Sequence, residues 1–324
     1  MLKEAEQRFF EPRKFLIFII LLFVVCFVAS VFLGSENLNF ANLNQLEKRI
    51  LFDVRLPRIC LGASVGASLA LAGASLQSLL RNPLADPYLL GVSSGAALGT
   101  MLAFVFFANL EFVHPILAFI GASAATFMVY QMAKSKAGMN VERLALSGVI
   151  VTTLLSSIIV LFTSLLDATK LRSFTFWLLG DLSQGTKNGF YLVFISAVLG
   201  LLILFSQARA LNLMMIGERD ALDFGVEVER VRLIVFITSA FLVGVSVSSS
   251  GSVGYVGLII PHLIRLSVGS DNRFVLPFSA IAGATFILFA DTIARTAIAP
   301  RELPVGAITA LIGAPMFIYL LKKN

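Results

Sequence analysis

The sequence predicts an all-α, polytopic membrane protein of about ten transmembrane helices, and three observations carry that reading. Of its 324 residues, 58% are hydrophobic and 14% charged, a balance foreign to a soluble chain of two or three domains. The apolar residues fall in blocks of about 17 to 25, the length a helix needs to cross the hydrocarbon core of a bilayer. The blocks also lack the roughly ten-residue alternation of an outer-membrane barrel.

The first block, Phe15 to Leu33, follows a charged start of Lys3, Glu4, Glu6, Arg8, Arg13 and Lys14. It is too long for the apolar part of a signal peptide and is followed by more spans, so we expect it to be kept. Further spans begin near Ile59, Tyr88, Val113, Leu144, Phe190, Leu233, Val256, Phe274 and Val305. The second and third flank the charged, Pro-broken hinge RNPLADP and are dense in Gly, Ala and Ser, which lets neighbouring helix backbones approach closely. Gly91, Gly95 and Gly99 recur every fourth residue and make one smooth helix face, as do Gly62 and Gly66. Helix packing is the expected use of these faces, a Gly-lined translocation path the sharper alternative. The eighth span, Val256 to Val268, is short and carries Pro261, so it reads as a half-span or a kinked helix. An apolar piece from Phe174 to Leu179 is expected at one membrane face.

With a cytoplasmic N-terminus, sixteen of the 25 Lys and Arg residues fall inside and nine outside, so the positive-inside rule places both termini in the cytoplasm. The outward connections are then Gly34 to Leu56, Ala108 to Phe112, Asp167 to Gly189, a tight turn at Gly251 to Tyr255, and Ala294 to Pro304. None is large enough for a soluble domain, so residues 1–324 read as one polytopic domain with a cytoplasmic segment at 214–230. The net charge of +6 is scattered among connections and forms no stripe for nucleic acid.

Enzymatic readings find no support. His114 and His262 are far apart in sequence, no HExxH or GxSxG motif occurs, and Cys26 and Cys60 offer neither a disulfide framework nor metal spacing. We expect no catalytic residue, no metal and no cofactor. GxxxxGK[ST] is absent, and GSVGYVG at Gly251 to Gly257 has no Lys to reach a phosphate, so any ATP-driven motor is another polypeptide. As drawn, the spans hold no Asp or Glu away from their ends. That argues against an ion-coupled secondary transporter, which commonly keeps a buried carboxylate for its ion.

Two polar regions remain as candidate sites. Met214 to Arg232, MMIGERDALDFGVEVERVR, mixes eight charges with apolar residues and reads as two short amphipathic helices around a glycine, with Gly225 placed as a C-cap. Such a knob suits a groove on a soluble partner, with Met214, Leu222 and Phe224 as anchors. On the outside, Arg55 and Arg58 flank Leu-Pro at the mouth of the second span, and Arg295 and Arg301 follow the ninth. Exposed cations at two separated points suit an acidic partner; the alternative is that they anchor helix ends among lipid headgroups.

Seven segments in order carry a family resemblance: RLPR at Arg55 to Arg58, RNPLADPYLLGVSSGA at Arg81 to Ala96, LSGV at Leu146 to Val149, WLLGDL at Trp177 to Leu182, GYVGLIIPHLIRL at Gly254 to Leu266, ADTIAR at Ala290 to Arg295, and ELPVGAITALIGAPMFIYLL at Glu302 to Leu321. Over nearly its full length the chain resembles the FecCD and BtuC-like permeases of binding-protein-dependent ABC importers for iron-siderophores, haem and vitamin B12. The resemblance implies a type II importer bundle of ten helices in the cell inner membrane. It further implies a homodimer, two cytoplasmic ATPase subunits and a soluble substrate-binding protein outside. The implied cargo is a metal chelate, a ferric siderophore or haem, with vitamin B12 or an oxyanion as alternatives. By position, Gly217, Glu218, Ala221, Leu222 and Gly225 look like the family's ATPase-coupling helices. Arg55, Arg58 and Arg295 match basic positions that meet acidic residues of the binding protein. Leu84 is similar in place to a cytoplasmic-gate residue. Asn140 and Val141 occupy the other gate region, where the family has small hydroxyl residues.

Overall fold

The computed structural model describes residues 10–36, 38–40, 42–110, 112–135, 138–139, 141–183 and 185–323. Helix α1 (Pro12–Phe32) is followed by a short α2 (Gln45–Arg49) that runs through a π-turn (Ile50–Arg55) into α3 (Leu56–Leu79). The hinge and a 3-10 turn (Pro87–Leu90) lead to α4 (Val92–Phe106) and α5 (Val113–Ala133). A two-residue antiparallel pairing of β1 (Lys134–Ser135) with β2 (Gly138–Met139) precedes α6 (Val141–Thr163), α7 (Ala168–Leu178) and α8 (Lys187–Ser206). Then come α9 (Ala208–Ile216), α10 (Glu218–Asp223), α11 (Val228–Ser250), α12 (Val256–Val268), α13 (Asn272–Thr296) and α14 (Val305–Lys323). Among the described residues seven helices are long and apolar enough to span a membrane, and α4, α12 and α14 are shorter apolar helices. Together they account for the ten expected spans.

Helix α3 is the hub, buried along almost its whole length between α13, α11, α8 and α12. Small residues allow this. A Cβ on Gly66 would lie 2.2 Å from the Gly283 carbonyl oxygen of α13, so the two backbones touch where neither has a side chain. The α4 glycine face is used in the same way, because a Cβ on Gly95 would lie 2.3 Å from the carbonyl oxygen of Gly121 in α5. The packing use of that face therefore holds, and α5 covers it. Helix α1 is peripheral: Phe15 packs against Phe278 of α13, while Ile17, Phe18, Leu21, Val24 and Val25 stay exposed, as a lipid-facing helix requires.

The turn between α11 and α12 departs from its expected place at the outer surface. Gly257, at the start of α12, packs against Gly73 and the Leu69 carbonyl, well inside the length of α3. Its 13 residues span about 20 Å, which makes α12 a half-span. Non-helical backbone at that depth must find partners inside the protein. The Tyr88 hydroxyl supplies two, accepting the Val253 N–H and donating to the Val253 carbonyl, each at 2.9 Å. Asp181 N–H donates to Ser250 O at 2.8 Å and Val305 N–H to Gly180 O at 3.0 Å, tying the ends of α7 and α14 to the same junction. Gly251 and Gly180 both have positive φ there, and a Cβ on Gly251 would strike the Trp177 carbonyl oxygen at 2.1 Å. The signal missing from the sequence was Tyr88, which lies 165 residues away from its partner.

Candidate functional site

Of the four arginines expected outside, Arg55, Arg58 and Arg295 are not exposed. Arg58, in the first turn of α3, donates from Nε and Nη2 to Asp291 Oδ1 at 3.1 and 2.9 Å, and from Nη1 to Glu302 Oε2 at 2.5 Å. Arg295 lies one helical turn beyond Asp291 on α13 and pairs with its other oxygen at 2.9 Å, while its Nη atoms donate to the carbonyls of Ser30 and Leu33. Arg55 donates to the carbonyls of Val31 (3.0 Å) and Glu36 (2.6 Å). All three arginines are buried, and so is Asp291, at 2% exposure. What reads in sequence as cations at two separated points is in space one network that fastens the C-terminal ends of α1 and α13 and the N-terminal end of α3 to the Glu302 loop. Arg301 alone of the four stays exposed. The network also places an acid inside a span, Asp291, five residues before the end of α13, where the sequence reading had none.

The segment expected in the cytoplasm forms a knob of two short helices. Gly217, in extended conformation, separates α9 from α10, and Gly225 closes α10 with φ +79°. Val226 N–H donates to Ala221 O and Gly225 N–H to Leu222 O, the Schellman pattern that a C′ glycine permits. Ala221 is wholly buried and Glu218 is held by Arg232 at 2.7 Å, so both fix the knob from behind. Leu222 (55% exposed) and Phe224 (75% exposed) face outward, joined by Ile216, which the sequence reading missed. Met214, read as a third anchor, is buried at 1% exposure and belongs to the core. Its i,i+3 spacing from Leu211 on α9 could have shown this, since both fall on that helix's buried face.

At the hinge, Leu84 is exposed and its N–H is held by Asn82 Oδ1 at 2.9 Å. Asp86 caps the 3-10 turn by accepting the Tyr88 N–H at 2.8 Å. Burial pushes its carboxyl above the usual aspartate range, which that hydrogen bond partly offsets. Val141 opens α6, and Asn140 lies outside the described residues. Nearby, Asp271 caps α13 and accepts from Asn212 of α9 at 2.7 Å. Burial would raise its pKa, but the bonds from Arg273 and Asn212 outweigh this and hold it below the ordinary value.

A bundle of ten apolar helices with a half-span, a deep junction and an exposed apolar knob is the setting in which residues 20–323 match the FecCD transport family. The chain belongs to that family. It is 38% identical to the haemin transport system permease protein HmuU of Yersinia pestis, over 97% of each chain. It is 37% identical to the vitamin B12 import system permease protein BtuC of Vibrio cholerae, over all of this chain and 97% of that one. The fold matches an inward-facing conformation of a putative metal-chelate type ABC transporter with a TM-score of 0.87 and 36% identity, covering 96% of this chain and 100% of that one. This FecCD chain is a multi-pass permease, a transport subunit and not an enzyme, and ATP hydrolysis belongs to a separate chain. Among the described residues, no group of His, Cys, Asp and Glu side chains is arranged to hold a metal ion.

Proposed function

We propose that this permease carries a metal chelate, a ferric siderophore or haem, into the cytoplasm as a homodimer with both termini on the cytoplasmic side. The observation that supports this cargo class most directly is the chain-long structural likeness to a metal-chelate type transporter. The similar identity to haemin and vitamin B12 permeases is consistent with a path that passes the cargo while the binding protein selects it.

In this mechanism the loaded binding protein docks outside and ATP binding closes a pair of motor subunits. The knob from Gly217 to Gly225 passes that closure to the bundle, and hydrolysis resets it. A nucleotide can shift the bundle only through unequal affinity for its two states, and the exposed Leu222 and Phe224 are where that difference is read. Leu84 at the hinge, with Val141 at the start of α6, is the proposed cytoplasmic gate, to which Asn140 is assigned by its place in the sequence alone. Docking on Arg55, Arg58 and Arg295 requires acidic residues of the binding protein to compete with Asp291, Glu302 and the carbonyls of α1 for the same guanidinium groups. A proton- or cation-coupled mechanism is disfavoured, because the buried carboxylate on α13, Asp291, is neutralised by two arginines.

The test is uptake of radiolabelled ferric siderophore and haemin by iron-starved cells with and without the chain, beside labelled cobalamin. Loss of iron or haem uptake alone, restored by re-expression, is the expected result. Loss of cobalamin uptake instead would transfer the assignment to the vitamin.

A further inference from the structure

The knob is wired to the turn that precedes α6. Arg232, in the second turn of α11 and only 9% exposed, holds two carboxylates from two elements. Its Nη2 donates to Glu218 Oε2 on α10 at 2.7 Å, and its Nη1 donates to Glu229 Oε1 on α11 at 2.5 Å. The second oxygen of Glu229 is also engaged: Oε2 accepts the backbone N–H of Met139 in β2 at 3.0 Å. Met139 is itself buried, and α6 begins two residues later. Three elements separate in sequence, α10, α11 and the α5–α6 turn, thus meet through one guanidinium and one bidentate carboxylate.

This arrangement has a direction. A nearly buried guanidinium is stable only while its charge is balanced, and the two acids share that task. If α10 shifts and takes Glu218 away, Glu229 must hold Arg232 alone, which draws its carboxylate off the Met139 N–H. That leaves a part-buried backbone donor without its partner, which favours movement of the turn toward another acceptor. We infer that Arg232 and Glu229 are positioning residues that convert displacement of the α10 knob into displacement of the start of α6. This inference rests on the reading of the knob as the ATPase contact.

Spin-label pairs separate the two steps, placed in a Cys26→Ala/Cys60→Ala chain complexed with its ATPase subunits. One pair joins Asp223→Cys on α10 to Leu202→Cys on α8; the other joins Leu146→Cys on α6 to Leu202→Cys. With ATP and vanadate, both distances are expected to shift in the otherwise unaltered chain. In Glu229→Gln and Arg232→Met the α10 pair should still shift, while the population shift of the α6 pair falls about tenfold. Arg232→Lys, which keeps the charge, should restore part of it. An α6 shift that survives both variants, or that never occurs in the unaltered chain, overturns the relay. So does loss of ATPase association in all three Arg232 and Glu229 variants, which would make the network a structural staple only. Failure of the unaltered chain to bind ATPase subunits would instead overturn the coupling reading beneath it.

Discussion

The two ends of this permease, the arginine cluster and the knob, use the same kinds of side chain in opposite ways. At one end, Arg58, Arg295, Asp291 and Glu302 turn inward, and their charges are balanced within the protein. At the other end the nearly buried Arg232 holds the half-exposed Glu218 and Glu229, and the apolar residues Ile216, Leu222 and Phe224 point away from the protein. Charge pairing fixes geometry at both ends. At the knob, Ile216, Leu222 and Phe224 leave an exposed apolar surface, which has a cost in water unless something covers it. The difference supports the proposed reading of the knob as a docking surface and shows the arginine cluster with its charges already paired in this conformation.

The strongest way to break the comparison is Asp291→Ala. It leaves two buried cations without their shared partner, and the expected cost is about 3 to 5 kcal/mol, read as a fall in thermal unfolding temperature in detergent. Adding Arg295→Met should recover part of it, since Arg58 keeps Glu302. A loss no greater than that of an exposed ion pair would mean that the outer cluster is not a fastening. Next in size is Leu222→Ala with Phe224→Ala. Both side chains are more than half exposed, so the unfolding temperature should not change, while affinity for the ATPase subunits falls by about 30-fold or more, equivalent to roughly 2 kcal/mol. Unchanged affinity would remove the functional side of the comparison.

These two regions also differ in how far the sequence disclosed them. The knob is local: Gly225, the charges and the outward Leu222 and Phe224 lie within one short stretch, and pattern alone places them. The Glu229-x-x-Arg232 spacing on α11 was visible too, though not its link to Met139, which lies 90 residues away. The outer network is non-local, for Arg58 meets partners 233 and 244 residues on, and an arginine at a span end looks the same whether solvated or paired. One local sign existed. Asp291 and Arg295 stand four apart on one helix face, the spacing of an internal ion pair. Span count and the half-length of α12 followed from apolar block lengths, whereas the depth of the α11–α12 turn depended on the Tyr88 hydroxyl reaching Val253.

The smallest expected effect sharpens the comparison within the outer face itself. Lys187 Nζ donates to Asp53 Oδ1 at 2.7 Å, as short as several bonds of the buried network, yet both side chains are 56% exposed. Water solvates these charges whether or not they meet, and holding two flexible side chains together costs entropy, so Lys187→Ala should lower stability by at most about 1 kcal/mol. Salt separates the two cases further. Raising ionic strength should screen the Lys187 pair and abolish what little the substitution costs, while the penalty of Asp291→Ala persists, because mobile ions cannot enter the buried cluster. If the two substitutions proved equal in size and equally sensitive to salt, burial would not be what distinguishes the arginine network. The outer charges would then have to be regarded as solvated and available to a partner after all.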